Sequence, residues 1–468
     1  MNATIASQPA STQASTGKLP FGLKLGWGTG ALGVAVLMNG ISGLILLFAA
    51  SILKIDPWLA GVVIFLSKLF DVITDPLVGH WSDRHKGPKG RRRPFMLWGS
   101  IAGAASFVII FTTPSFESQY ATAAYLFLAL CIYAFGYTLY NIPYMAMSAE
   151  MTEDYHERSS LQVYRIYFVV IGSTIATAGV KAALEFFGKT EAQSFAIVGV
   201  LCGLIIIVTT MLSYFATAKA RFTLAKENET RSNLVQMAES YGAVIKNGHF
   251  LRLIGVKFAQ LMGVQTMGAA FAYFFVQYLG RDFYVLAIFG VAVTISTLVF
   301  SPLLVQFSKA YGKKNAYYVA AAVNIFYAVS WTFSGTGEPV WLIIIRAVLV
   351  GIAFGGNVVM AMSMLTDIIN EDGDRTGIRR EGAFTALYSF VEKLTGALGP
   401  LIVGIALTWV GFNKDLPFDV PQGDNVNTAL LLAVSWLPAA FYLIAVVLLS
   451  GYKLTEDDVT RANSRTTA

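Results

Sequence analysis

Long apolar runs alternate along the chain with short polar segments that carry most of its charge. A helix needs about 20 apolar residues to cross about 30 Å of hydrocarbon, and twelve runs are long enough. The pattern therefore predicts an all-α membrane protein with twelve transmembrane helices. Their predicted limits are 24–53, 59–82, 94–113, 120–149, 162–187, 193–218, 250–278, 283–305, 315–335, 339–364, 383–410 and 427–452.

Lysine and arginine are concentrated in alternate connections. One set contains DRHKGPKGRRR, KARFTLAKENETR, KAYGKK and DRTGIRR, whereas the other set has only isolated cations, namely Lys54, Lys189, Arg281 and Lys414. Because cytoplasmic loops are enriched in Lys and Arg, we predict that the first set and both termini are cytoplasmic. The net charge of +6 then indicates membrane topology and not nucleic-acid binding.

The composition agrees with a membrane protein. Of the residues, 55% are hydrophobic and 13% charged, whereas soluble domains are about one quarter charged. Residues 1–23 lack the apolar core of a signal peptide, so we expect a disordered cytoplasmic tail there and a second cytoplasmic tail at 453–468. Cys131 and Cys202 lie in apolar runs and predict neither a disulfide nor a metal site. With no phosphate-binding loop or catalytic motif, we expect no cofactor and transport driven by an ion gradient.

Two pairs of segments indicate an internal repeat. DPLVGHWSDRHKGPKGRRR, from Asp75, resembles SPLLVQFSKAYGKKN, from Ser301, and NIPYMAMSAEMTEDYHERS resembles NVVMAMSMLTDIINEDGDRT. In each pair the second segment follows the first by nearly the same number of residues. A duplicated transporter of two parallel six-helix bundles would show this spacing. We predict bundles at 24–218 and 250–452, joined by a cytoplasmic loop at 219–249.

Span two contains charges where hydrocarbon is expected. Asp71 and Asp75 are four residues apart, and Lys68 precedes Asp71 by three, so all three share one helix face. A charge at mid-membrane costs roughly 2.5–3.5 kcal/mol on insertion scales, so this face should meet a polar cavity. Lys68, a bound Na⁺ or a proton could neutralise the acids, and an ion pair that only locks helices together is the structural alternative.

Other polar side chains fall at membrane depth. Arg165 lies in span five, and Lys393 lies in span eleven beside Glu392. Tyr137, Asn141 and Tyr144 can share a face of span four with Thr138. Such groups suit a polyhydroxylated ligand, although helix–helix hydrogen bonding is the alternative for each of them. The cations interpreted as structural are Lys181, Lys257 and Arg346.

These motifs resemble the glycoside–pentoside–hexuronide:cation symporters of the major facilitator superfamily over nearly the whole chain. The strongest elements are DVITDPLVG, SDRHKGPKGRRRPF, YTLYNIPYMAM and the lysine of span eleven. The resemblance implies the superfamily fold and a cation site at Asp71, Asp75 and Thr138, and we add Thr74 to the cation-binding candidates. Thr74 replaces an asparagine next to the second aspartate, which leaves Na⁺ and H⁺ both open as the coupling ion.

The resemblance also implies further functional positions. Arg165 and Lys393 correspond to substrate-binding cations, whereas Ala35 and Asn141 stand where relatives carry sugar-binding aspartates. We add Tyr137 and Tyr144 to the substrate candidates. The superfamily's loop signature, which implies a conformational gate, corresponds to Gly79, Asp83, Arg84, Gly90, Arg91 and Arg92.

The resulting hypothesis is a cation-coupled symporter of a sugar or glycoside that works by alternating access. We expect it to be no enzyme and to function as a monomer in a bacterial inner membrane. A carrier of a non-sugar amphiphile such as a lysolipid is the alternative within the transporters. An ion channel is disfavoured, because the one acidic site lies off any symmetry axis.

Overall fold

The computed structural model describes residues 18–85, 87, 90–114, 116–152, 154–187, 192–220, 234–378, 380–418 and 420–452. Most of the predicted tails at 1–23 and 453–468, and positions 221–233 of the predicted loop at 219–249, lie outside these ranges. Twelve described helices are long and apolar enough to cross a membrane, which confirms the all-α fold class. They are α1 Phe21–Gly40, α2 Pro57–Arg84, α3 Arg93–Phe111, α4 Gln119–Ser148, α5 Ser160–Phe187, α6 Ala192–Ala216, α7 Gly248–Tyr278, α8 Phe283–Tyr311, α9 Lys313–Phe333, α10 Val340–Thr376, α11 Glu381–Trp409 and α12 Asp424–Ser450.

The helices pack in two sets. In the first, α1 packs on α5 and α6, and α4 packs on α2 and α3; in the second, α7 packs on α11 and α12, and α10 packs on α8 and α9. The sets meet along two seams, α2 against α11 and α5 against α8. The division into bundles at 24–218 and 250–452 stays a prediction, but a side chain on α2 can reach α11 directly.

We call the end that carries the α2–α3, α4–α5, α8–α9 and α10–α11 connections the basic face, and the other end the opposite face. Near the opposite face the backbones of α2 and α11 touch. A Cβ added to Gly404 would lie 2.3 Å from the carbonyl oxygen of Pro57, and one added to Gly61 would lie 2.9 Å from the Cα of Leu401. Small residues allow such close approach between membrane helices.

Toward the basic face α11 loses this cover. Between Glu381 and Glu392 only Phe384, Tyr388 and Val391 are buried, and Phe384 and Tyr388 pack in the core of the second set of helices. On α2, Ile73 and Leu77 are also exposed. The α2–α11 seam is thus closed at the opposite face, and both helices are exposed at the basic face.

Two predicted spans differ from the structure. The span at 24–53 is interrupted: α1 ends at Gly40, and a turn precedes a three-residue helix, Ile45–Leu47, and a π-helical turn, Phe48–Ile52. Gly43 in that turn has φ 78°, a conformation that glycine adopts without steric cost. Apolar composition continues through the turn, so the hydrophobic pattern does not reveal it.

The span predicted at 339–364 continues to Thr376, where Gly377 ends α10 with φ 67°. The added turns are polar, so a hydropathy criterion stops before the helix does. Asp372 in this extension binds Arg380 at 3.1 Å and Asn247 at 3.2 Å. These contacts stabilise a helix end that projects beyond the apolar segment.

Candidate functional site

Asp71, Asp75, Thr138 and Lys393 form one polar cluster at mid-helix depth. The Thr138 hydroxyl lies 3.2 Å from Asp71 Oδ1 and 2.8 Å from Asp75 Oδ1. Lys393 Nζ lies 3.1 Å from Asp71 Oδ2 and also donates to Asp75 Oδ2. The ammonium and the hydroxyl therefore bridge the two carboxylates, and the bridge crosses the α2–α11 seam.

The α2 sequence explains this placement. The spacing of four residues puts both aspartates on one face, and at 1.5 Å per residue Asp71 lies roughly 20 Å from either end of α2. Pro76 within the helix cannot donate the hydrogen bond that a helical residue makes to the preceding turn. Lys393 donates to the backbone carbonyl of Asp71 at 3.3 Å, so the ammonium is held by three oxygens.

Lys68 and Thr74 take other positions. The Lys68 ammonium lies 6.0 Å from the ring centroid of Tyr133 and forms no ion pair with Asp71 or Asp75, although all of these residues are described. The Thr74 hydroxyl donates to the backbone carbonyl of Asp71 at 3.2 Å. Lys393, from the other set of helices, is thus the cation that neutralises the aspartates here.

The substrate-binding candidates are divided between the cluster's surroundings and the protein core. Asn141 donates to the Tyr137 hydroxyl at 3.2 Å, and Tyr137 is close enough to interact electrostatically with Asp71, Asp75 and Arg165. The Arg165 guanidinium contacts the amide oxygen of Gln162 at 3.4 Å. Asn141, Tyr137 and Arg165 therefore lie beside the cluster.

Tyr144 lies elsewhere. Its side chain is fully buried, and its hydroxyl donates to the Trp27 carbonyl at 3.1 Å. Its ring stacks on Trp27 with centroids 4.9 Å apart and on Tyr140 at 5.5 Å. In this conformation Tyr144 belongs to the contact between α1 and α4.

Two arginines of the loop signature bind Glu150, an acid that was not among the sequence-based candidates. Glu150 Oε1 accepts from Arg91 at 2.8 Å and from Arg92 at 3.0 Å, and Arg92 pairs with Asp83 at 2.6 Å. Arg84 ends α2, and Gly79 lies one turn before it, with its nearest neighbour at 3.9 Å from an added Cβ. Gly90, with φ 84°, turns the chain between Arg84 and Arg91.

A related ion pair occurs in the second set of helices. Lys313 at the start of α9 binds Asp367 near the end of α10 at 2.6 Å. This pair joins the start of α9 to the end of α10, as Arg92 and Glu150 join the start of α3 to the end of α4 in the first set. Glu150 and Asp367 lie at similar positions in the two segments that resemble each other in sequence, and that similarity is the signal that could have identified both acids.

The opposite face is closed by a polar network that the sequence analysis did not anticipate. Asp56, before α2, pairs with Lys414, after α11, at 2.7 Å. The Gln119 side chain donates to Asp56 at 2.9 Å and accepts from Lys414 at 3.0 Å. The pKa of Asp56 lies below its ordinary value, mainly because of the hydrogen bond from Lys414 and to a smaller extent because of that from Gln119. Partial burial of Asp56 opposes this shift.

Lys54 adds a second connection at this face. Its ammonium donates to the backbone carbonyls of Lys414 at 2.6 Å and Leu416 at 3.2 Å. Burial lowers the pKa of Lys54, and the nearby charge of Asp415 partly opposes that effect. Its φ of 57° costs of order 1–3 kcal/mol for a residue other than glycine, so this turn is held by its contacts across the seam.

Comparison with known proteins identifies the family. A family model described as MFS/sugar transport protein matches residues 26–456. The chain belongs to this family. That assignment agrees with the resemblance to cation symporters of the major facilitator superfamily, and it confirms that the chain is a transporter and not an enzyme.

Several relatives are similar to this chain over most of their length. The putative glycoside/cation symporter YagG of Escherichia coli (strain K12) is 27% identical and aligns over 92% of both chains. A putative sulfoquinovose importer of Salmonella typhimurium is 28% identical over 94% of this chain and 91% of the relative. The sodium-dependent lysophosphatidylcholine symporter 1 of Gallus gallus is 24% identical over 88% of this chain and 82% of the relative.

A solved structure of the nucleoside transporter NupG shares the fold, with a TM-score of 0.68, 14% identity and coverage of 92% of this chain and 100% of that one. Together these matches make the chain an integral membrane transporter coupled to a cation.

Proposed function

We propose that the protein carries a sugar or sugar-like molecule together with Na⁺ or H⁺, and that Lys393 couples the two. The observation that carries the proposal is the Lys393 ammonium bound to both Asp71 and Asp75 across the α2–α11 seam. The relatives include a putative glycoside/cation symporter and a putative sulfoquinovose importer, which support a sugar-like substrate.

Coupling follows from competition for the carboxylates. Asp71, Asp75 and Thr138 offer only oxygen atoms, which suit a hard monovalent cation, and a proton on either acid would also weaken the ion pair. When Na⁺ or H⁺ occupies the acids, Lys393 is released toward Arg165, Tyr137 and Asn141. These residues lie beside the opening between the two sets of helices at the basic face, which we call the cleft. The released ammonium then binds the substrate, so each ligand raises the affinity for the other.

The described conformation represents one end of the transport cycle. The network of Asp56, Lys414 and Gln119 closes the opposite face, whereas α2 and α11 are exposed toward the basic face. With both termini and the basic face in the cytoplasm of a bacterial inner membrane, this is an inward-facing monomer. In the alternate state the loop signature at Gly79, Asp83, Arg84, Arg91 and Arg92 would rearrange as the basic face closes.

The test is uptake into liposomes that contain the purified protein, with an imposed Na⁺ or pH gradient and a panel of glycosides that includes sulfoquinovose. Asp71→Asn and Asp75→Asn should each abolish accumulation against a gradient, because the coupling ion loses a carboxylate. Exchange of internal for external sugar should persist in part. Accumulation at the wild-type level in both variants would contradict the proposal, and the gradient that drives uptake identifies the ion.

A further inference from the structure

Lys257 on α7 and Glu392 on α11 form an ion pair inside the second set of helices. Lys257 Nζ lies 3.0 Å from Glu392 Oε1, and the ammonium lies 4.6 Å from the ring centroid of Tyr388. The Lys257 side chain is 3% exposed, whereas that of Glu392 is 48% exposed. Glu392 is roughly 16 Å along α11 from its basic end, where a carboxylate facing lipid is very unfavourable.

The exposed carboxylate therefore faces the cleft between the two sets of helices. Glu392 precedes Lys393, which reaches the aspartates of α2. Tyr137 on α4 interacts electrostatically with Glu392 as well as with Arg165. Glu392 and Arg165 thus contribute opposite charges to the surroundings of one tyrosine, from opposite sets of helices.

Glu392 has unused hydrogen-bonding capacity. Among the described residues only Lys257 binds its carboxylate, and it does so through Oε1. An ionised carboxylate has about four lone-pair sites, and its hydrogen bonds are roughly twice as strong as neutral ones. Asp71 and Asp75 are engaged by Thr138 and Lys393, so Glu392 is the acid beside the cluster that can accept new donors.

We propose that Glu392 is a substrate-binding residue that accepts hydrogen bonds from hydroxyl groups of a polyhydroxylated substrate. Lys257 acts as a positioning residue, because its ammonium fixes Oε1 and leaves Oε2 toward the cleft. This inference rests on the proposed function, and it assigns the acceptor to α11, from the second set of helices.

The experiment separates this role from simple packing of α7 on α11. The probe is whichever glycoside of the panel binds the wild-type protein most tightly, together with its monodeoxy analogues, and affinity is measured by isothermal titration. The variants are Glu392→Gln, the double variant Lys257→Met/Glu392→Gln, which leaves no unpaired buried charge, and the control Glu239→Gln. Glu239 is an exposed position of the helix Leu234–Lys246.

We expect a tenfold to hundredfold loss of sugar affinity in the single and double variants, because one hydrogen bond to a charged group contributes about 1.5–3 kcal/mol. Glu239→Gln should match wild type. One monodeoxy analogue should bind wild type and Glu392→Gln equally, since it lacks the hydroxyl that Glu392 receives. Cation affinity should not change.

Three other results would overturn the inference. Wild-type sugar affinity in both variants would leave Lys257 and Glu392 as a packing contact while the proposed function stands. A loss of affinity that is equal for every deoxy analogue would show an indirect structural effect. If the wild-type protein binds no sugar of the panel, the proposed function fails, and this inference fails with it.

Discussion

Two aspartates are tolerated in the middle of α2 because other residues share their charge. Lys393 forms ion pairs with both carboxylates, and the Thr138 hydroxyl lies within hydrogen-bond distance of both. Removing one partner of a buried ion pair leaves an uncompensated charge that typically costs 3–5 kcal/mol. Asp75 is partly exposed, which reduces this cost. The remaining cost still favours a positive charge beside the two carboxylates. In the described conformation Lys393 supplies that cation, and under the proposed function a transported ion would take its place.

The residue types of this site and the grouping of Asp71, Asp75 and Thr138 could be predicted from the sequence, but the cation that neutralises the two acids could not. The spacing of Asp71 and Asp75 and the cost of charge in a membrane indicate a shared polar face. The same spacing also places Lys68 on that face, and only the packing of α11 on α2 shows that Lys393 neutralises the acids. Likewise, Tyr144 has the right spacing for the site, but α1 packs against it.

At the scale of helices, the α2–α11 seam depends on the absence of side chains at Gly61 and Gly404. The two backbones are too close for a Cβ at Gly404, which would lie 2.3 Å from the Pro57 carbonyl oxygen. Contacts below 3.0 Å force a backbone to shift. The seam can therefore close at the opposite face only while these positions remain glycine.

We predict that Gly404→Ala separates α2 from α11 at the opposite face. Tyr120 and Trp409 are both exposed near that face and can be replaced by spin-labelled cysteines in a cysteine-free background. Double electron–electron resonance should then report a longer distance between the two labels than in the protein with Gly404. Gly382→Ala, on the same helix with no atom within 4 Å of the added Cβ, is the control and should leave the distance unchanged. An unchanged distance in Gly404→Ala would contradict the packing argument.

Helix number and type follow from apolar run length, which is why the twelve spans agree with the prediction. Their ends and their contacts do not follow from it. The turn at Gly43 lies within apolar sequence, and the polar end of α10 lies beyond it. The seams between α2 and α11 and between α5 and α8 depend on distant parts of the chain, to which a periodic pattern is insensitive.

At the scale of the whole molecule, the opposite face is closed and the basic face is exposed, as the proposed alternating-access cycle requires of one of its states. The network around Asp56 and Lys414 holds the first and second sets of helices together at one end. The pKa of Asp56 is lowered by this contact. The contact therefore stabilises the closed face above the ordinary pKa of a carboxyl, and this stabilisation is lost as the pH falls through the lowered pKa.

We predict that acidification below the ordinary carboxyl range lengthens the distance between labels at Tyr120 and Trp409. Asp56→Asn should lengthen it already at neutral pH and remove much of the acid dependence. Asp424→Asn, at the exposed start of α12, is the matched control and should behave as wild type. If the distance in Asp56→Asn matches wild type at every pH, the network does not hold the face closed.

The most direct test of the central claim is the cation affinity of Lys393→Met, measured as the half-maximal Na⁺ concentration or pH for thermal stabilisation of the purified protein. If the lysine competes with the coupling ion for Asp71 and Asp75, its removal should destabilise the ion-free protein. It should also raise cation affinity about tenfold or more, equivalent to at least about 1.4 kcal/mol. Lys181→Met, on α5, should leave that affinity unchanged. Unchanged cation affinity in Lys393→Met, with substrate binding still enhanced by the cation, would contradict the account.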